Sequence, residues 1–130
     1  MANPNKAKGT RAETAVVRFL QAHGIKAQRK ALTGSKDCGD VDVLDAPRLA
    51  RPVVLEVKTG QQTANPTRFQ ISKWMQQARA EGKNSGSPCY LCIVRYRRSI
   101  CDAEIYIEHI DGGEVTREHL YLDEFCKLLT

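Results

Sequence analysis

A mixed α/β domain is the architecture this sequence predicts, and three observations predict it. Apolar residues recur at helical spacing near the start, two valine-rich runs follow, and an alternating apolar run lies near the end. These signals interleave along the chain rather than segregating, which places helices on a central sheet. A chain of 130 residues suits one domain with a substantial core. Residues 1–8 are expected as a flexible basic arm and residues 9–130 as the domain.

Each element follows from local pattern. Ala12, Ala15, Val16, Phe19 and Leu20 predict a helix over residues 11–23, stopped by Gly24. Residues 25–32 read as a first, rather polar strand. Thr33-Gly34-Ser35-Lys36-Asp37-Cys38-Gly39 reads as a flexible loop. Residues 41–44 and 52–58 are the next strands, joined by a turn around Asp45-Ala46-Pro47. Asn65-Pro66 fits a cap followed by proline at the first helical position. That helix continues through Ile71, Met75 and Ala78 to Gly82, with Phe69 and Trp74 as its core anchors, or Trp74 at a dimer interface. Residues 90–96 and 104–110 are strands, Asp111-Gly112-Gly113 turns the chain, and residues 116–129 close it as a helix. The expected order is α-β-β-β-α-β-β-α.

Composition narrows the functional classes. Hydrophobic residues make up 42% and charged residues 27%, an ordinary globular balance. No apolar run approaches the roughly 20 residues that span a bilayer. The polar, basic start carries no hydrophobic signal core, so a cytoplasmic location is expected. Five cysteines without a repeating framework suit reduced thiols, although Cys38, in the loop, could form an intermolecular disulfide. Cys89 and Cys92 stand three apart on a strand and so face opposite ways, which fits packing rather than zinc. His23, His109 and His119 are scattered and read as caps or surface residues.

The net charge of +5 is unevenly spread. Residues 1–36 hold eight Lys or Arg against one acid, and residues 60–100 hold seven against one. Residues 101–130 reverse the balance, with eight acids against Arg117 and Lys127. Two basic stretches are the pattern expected where one face meets a polyanion.

The chemistry is concentrated between Gly39 and Lys58. Asp40 and Asp42 share one face of their strand, and Glu56 and Lys58 share one face of the next. Their neighbours Val41, Val43, Val53, Val54, Leu55 and Val57 imply burial. A buried carboxylate is costly unless a cation or several hydrogen bonds compensate it. The expected compensation is a divalent metal and the expected use phosphodiester chemistry. Asp42 is a further or alternative partner of that ion.

Asp40 followed fifteen residues later by Glu56-Val57-Lys58 resembles the PD-(D/E)XK nuclease superfamily. The order of a helix with Glu, a polar strand, a Gly-Ser loop, an Asp strand and a Glu-x-Lys strand is similar to archaeal-type Holliday junction resolvases. The resemblance covers residues 8–78 and departs at Gly39, where that family usually has proline. It implies a restriction-endonuclease-like fold, a mixed central β-sheet flanked by helices. It also implies a Mg²⁺-dependent endodeoxyribonuclease of DNA recombination and repair, a homodimer acting on branched or junction DNA, with Mn²⁺ able to substitute.

On that resemblance, and on the preference of Mg²⁺ for carboxylates and water, Asp40 and Glu56 are direct ligands and the Val57 carbonyl a third. Lys58 orients the attacking water or offsets charge in the transition state. Glu13 has two readings: with Thr10 it fits a capping box, and it also tops the inward stripe, where the family's first-helix glutamate completes the metal site. Ser35 is carried over as a loop serine assisting catalysis, against a plain turn. Arg29 and Lys30 resemble the family's strand arginine on the DNA backbone, and Gln70 its polar residue on the next helix, against a solvent-facing glutamine. Lys6, Lys8, Arg11, Lys36, Arg95, Arg97 and Arg98 are expected phosphate contacts, with recognition by shape rather than base sequence. The alternatives are a flap, branch or DNA-end nuclease of the same fold, and a DNA-binding module without catalysis.

Overall fold

Helix α1 runs over Pro4–Ala22 and leads into β1, Lys26–Arg29, in a computed structural model that describes residues 4–30 and 38–130 without the side chains of residues 4–8. There follow β2 at Val41–Asp45, β3 at Val53–Lys58, α2 at Arg68–Ser85, β4 at Cys89–Ile93, β5 at Glu104–Asp111, β6 at Glu114–Tyr121 and α3 at Leu122–Leu129. Among the described residues the strands form one six-stranded sheet in sequence order. β3 and β4 are parallel, joined by the α2 crossover, and the other neighbouring pairs are antiparallel.

The sheet divides the core in two. On one face Val16, Val17 and Leu20 of α1 and Leu122, Phe125 and Leu129 of α3 pack on Val41, Val43, Leu55, Cys92 and Ile105. On the other, Trp74 and Met75 of α2 cover Leu91 and Ile93. Pleating puts Leu55 in the first layer and Glu56 in the second, so α2 lies over the strand face that carries the acids. Cys92 belongs to the first layer and Cys89 points the opposite way. No described helix is long and apolar enough to cross a membrane.

Five expectations are corrected. Helix α1 starts at Pro4, so residues 4–8 of the expected arm are helical. Thr10 then lies inside the helix, which removes the capping-box reading of Glu13. The strand β6 replaces the first half of the expected closing helix. Gly112 and Gly113 both have positive φ (56° and 87°), which gives the two-residue hairpin turn between Asp111 and Glu114. α2 is capped by Thr67, whose hydroxyl accepts from Gln70 N–H at 3.1 Å, and extends past Gly82 to Gly86 with left-handed φ. Finally, Trp74 is a core anchor, but Phe69 is 72% exposed with the Lys73 ammonium over its ring.

Candidate active site

Asp40 stands immediately before β2, and Asp40 N–H donates to the Leu55 carbonyl at 2.9 Å. Its Oδ2 accepts from Val57 N–H at 2.8 Å, which locks the carboxylate against β3. The approach requires Gly39. Its φ is 95°, and any Cβ there would collide with the Val54 side chain. Proline, with φ fixed near −65°, cannot occupy that backbone, so the proline usual in the nucleases this sequence resembles does not fit here.

Glu56 is only 4% exposed. Its Oε1 lies 3.3 Å from Lys58 Nζ and accepts from Gln77 Nε2 at 3.3 Å. Its Oε2 is buried with no hydrogen-bond partner among the described residues. Desolvation by burial, followed by the neighbouring Glu81, pushes the Glu56 carboxyl up to about 8. Desolvation and the adjacent Glu56 push Asp40 up to about 8 as well, with the Val57 amide working against the rise and Glu13 adding to it. Two acids held side by side, both resisting ionisation, and one buried oxygen without a partner form a pocket suited to a cation.

That pocket is not a ready-made cage: the described residues contain no group of three or more His, Cys, Asp or Glu able to hold a metal. Two carboxylates suit Mg²⁺, which keeps several waters and completes its shell with substrate oxygens. Tetrahedral zinc or a high-coordination calcium site would need more protein donors.

Two residues on α2 complete the arrangement, and sequence reading passed over both. Gln77 accepts from Lys58 Nζ through Oε1 at 2.8 Å and donates through Nε2 to Glu56 and to Glu81, the latter at 2.9 Å. One amide orientation satisfies all three partners, so Gln77 fixes both the Glu56 carboxylate and the Lys58 ammonium. Glu81 is 2% exposed behind it. The signal was available: Trp74, Ala78 and Glu81 lie on one helical stripe, and Gln77 stands one turn after Trp74. Gln70 lies two turns earlier, in the first turn of α2, where its backbone N–H donates to the Thr67 hydroxyl.

The remaining expected residues divide into three groups. Glu13 is near enough to raise Asp40 and is held by Arg29, whose Nε donates at 3.1 Å. Lys30 pairs with Asp42 at 3.0 Å, so Asp42 has a cation of its own. Arg95 is bound to Glu104, a 5% exposed acid that His119 also contacts at 2.8 Å. Burial acts to raise Glu104, but the Arg95 guanidinium and His119 outweigh it and hold the carboxyl below its usual value. Arg11, Arg97 and Arg98 come together around Thr59 and Gly60. A cleft of about 490 Å³ lined by Val57, Lys58, Thr59 and Gly60 opens beside them. Ser35 and Lys36, and the side chains of Lys6 and Lys8, lie outside the described residues.

No family model matches this sequence, and no curated protein matches it. Among solved structures, the fold is similar to that of Hjc, a Holliday junction resolvase from the archaeal hyperthermophile Archaeoglobus fulgidus. The TM-score is 0.52 at 14% identity, and the match covers 86% of this chain and 97% of that one. The shared fold is a mixed α/β sheet flanked by helices.

Proposed function

We propose that this protein is a metal-dependent, structure-selective DNA endonuclease that cuts branched DNA, with the four-way junction as its preferred substrate. The observation that carries the reading is the buried Asp40–Glu56 pair beside Lys58, with one Glu56 oxygen free to take a cation. The similarity of fold to a Holliday junction resolvase supports the choice of substrate.

Asp40 and Glu56, with the Val57 carbonyl, would hold Mg²⁺ or Mn²⁺, which when bound supplies Lewis acidity at the scissile phosphate and acidifies a water. Lys58 is held by Glu56 and Gln77 with its ammonium at the cleft, placed to orient a nucleophile or to offset charge on the phosphorane. Arg11, Arg97 and Arg98 line the groove beside that cleft and supply DNA contacts, which makes affinity steeply salt-dependent. Glu13, fixed by Arg29, stands at the edge of the site as an outer acid. Two symmetric incisions across a junction call for a twofold homodimer.

The test is cleavage of labelled four-way junction, flap and linear duplex with Mg²⁺, Mn²⁺ or EDTA. The junction is expected to be cut fastest and only with metal. Asp40→Asn is expected to stop cutting while junction binding persists. Equal rates on all three substrates would remove junction selectivity. Binding without metal-dependent cutting would favour a non-catalytic module.

A further inference from the structure

We infer that Tyr96 and Arg97 form a stacking platform for an unstacked nucleobase at the branch point, an inference that rests on the branched-DNA reading above. The two residues lie in the loop after β4 and line the groove beside the Lys58 cleft, and Val94 N–H in the same loop donates to the Lys58 carbonyl at 2.9 Å. The Arg97 guanidinium lies over the Tyr96 ring, 5.1 Å from its centroid. Arg97 is exposed and is, among the described residues, the one non-glycine with positive φ, at 58°. A left-handed arginine costs the fold stability, and such strain persists where surrounding structure holds it in place.

The surrounding structure here is Thr63, which is fully buried. Its hydroxyl accepts from Tyr96 N–H at 2.9 Å and lies within donating distance of the Gly60 and Val94 carbonyls, at 2.8 and 3.2 Å. One side chain therefore ties the Tyr96 loop to the Gly60 loop, and Gly60 lines both the cleft that holds Lys58 and the groove around Arg97. Arg95, bound to Glu104, anchors the loop from the other side. The result is an aromatic and guanidinium pair held in the groove that adjoins the Lys58 cleft.

A ring with a guanidinium over it makes a surface that takes a further flat group. Nucleobases are the flat groups DNA supplies, and they stack on aromatic rings and arginine planes when unpaired. A regular duplex covers both faces of every base; at an open branch point the central pairs lose a stacking neighbour on one face and are more easily splayed out. The phosphate contacts are left to Arg11 and Arg98, so the platform adds a preference for structure that charge alone cannot give.

The test is equilibrium binding by the full chain in EDTA to a four-way junction, to a duplex of matching sequence, and to junctions with an abasic nucleotide at each branch position in turn. Wild type is expected to lose about tenfold in junction affinity at one or more abasic positions. Tyr96→Ala is expected to bind the intact junction about tenfold more weakly and to lose nothing further at those positions. Tyr96→Phe should restore wild-type preference, and Arg97→Gly should weaken it without lowering the melting temperature, because glycine relieves the φ. If wild type binds the junction but Tyr96→Ala matches it, or if the two losses multiply, the platform is refuted while the nuclease reading stands. If wild type binds no DNA, both fall.

Discussion

Replacing Glu56 with glutamine is expected to stop DNA cleavage and also to stabilise the metal-free protein at pH 8. Loss of a metal ligand that also steers Lys58 should lower the rate at least about a thousandfold, the scale of losing a principal electrostatic group. The stability gain follows from burial. With a folded value of about 8 against 4.5 for the free side chain, Glu56 binds its proton more tightly folded than unfolded. Its contribution is fully present below about pH 4.5 and is lost as pH rises towards 8. Asp40, raised from 3.8 to about 8, has the same sign and adds to it. The EDTA-treated protein should therefore melt at a lower temperature at pH 8 than at pH 5. Glu56→Gln should remove much of that slope and recover on the order of 2 kcal/mol at pH 8. Thermal melts at the two pH values measure it; a mutant with the wild-type slope would show that Glu56 is not buried as described.

The second large effect concerns Lys58. Lys58→Ala should slow cleavage by about a hundredfold to a thousandfold, with DNA affinity changed far less, because the ammonium is placed for the transition state. Gln77→Ala should cost about tenfold, since it frees both Lys58 and Glu56 from their fixed positions. The informative variant combines them. If Gln77 acts through Lys58, the double mutant cuts no more slowly than Lys58→Ala alone. Single-turnover rates decide this, and losses that multiply would give Gln77 an independent role.

What could be read in the chain, and what could not, follows from which partners are local. Asp40, Glu56 and Lys58 stood out because valines surrounded them, and burial on β2 and β3 follows from those valines. Gln77 and Glu81 reach the same pocket from a helix on another layer, and only tertiary packing brings a residue 21 positions away onto Glu56. The acid-rich end looked helical because Arg117, Glu118 and His119 show no two-residue alternation of polarity. β6 is exposed along most of its length, so burial left no pattern to read, although the Gly112-Gly113 doublet did mark a hairpin. Ion-pair partners were hidden for a related reason. The sequence does not show that Arg95 has Glu104 as its partner, nor that Arg79 and Arg117 meet Glu108. Glu104 and Glu108, two of the eight acids of the C-terminal stretch, are counter-charges to those arginines.

Asp40 and Glu56 as one cation pocket is the claim on which the rest depends, and calorimetric titration with Mn²⁺ tests it without substrate. At pH 7 wild type is expected to bind with release of nearly two protons, one from each carboxyl raised to about 8, seen as a heat that changes with the ionisation enthalpy of the buffer, and to bind more tightly at pH 8. Asp40→Asn should bind at least about tenfold more weakly. Binding of equal strength in Asp40→Asn, or a heat that does not change between buffers, would contradict the account.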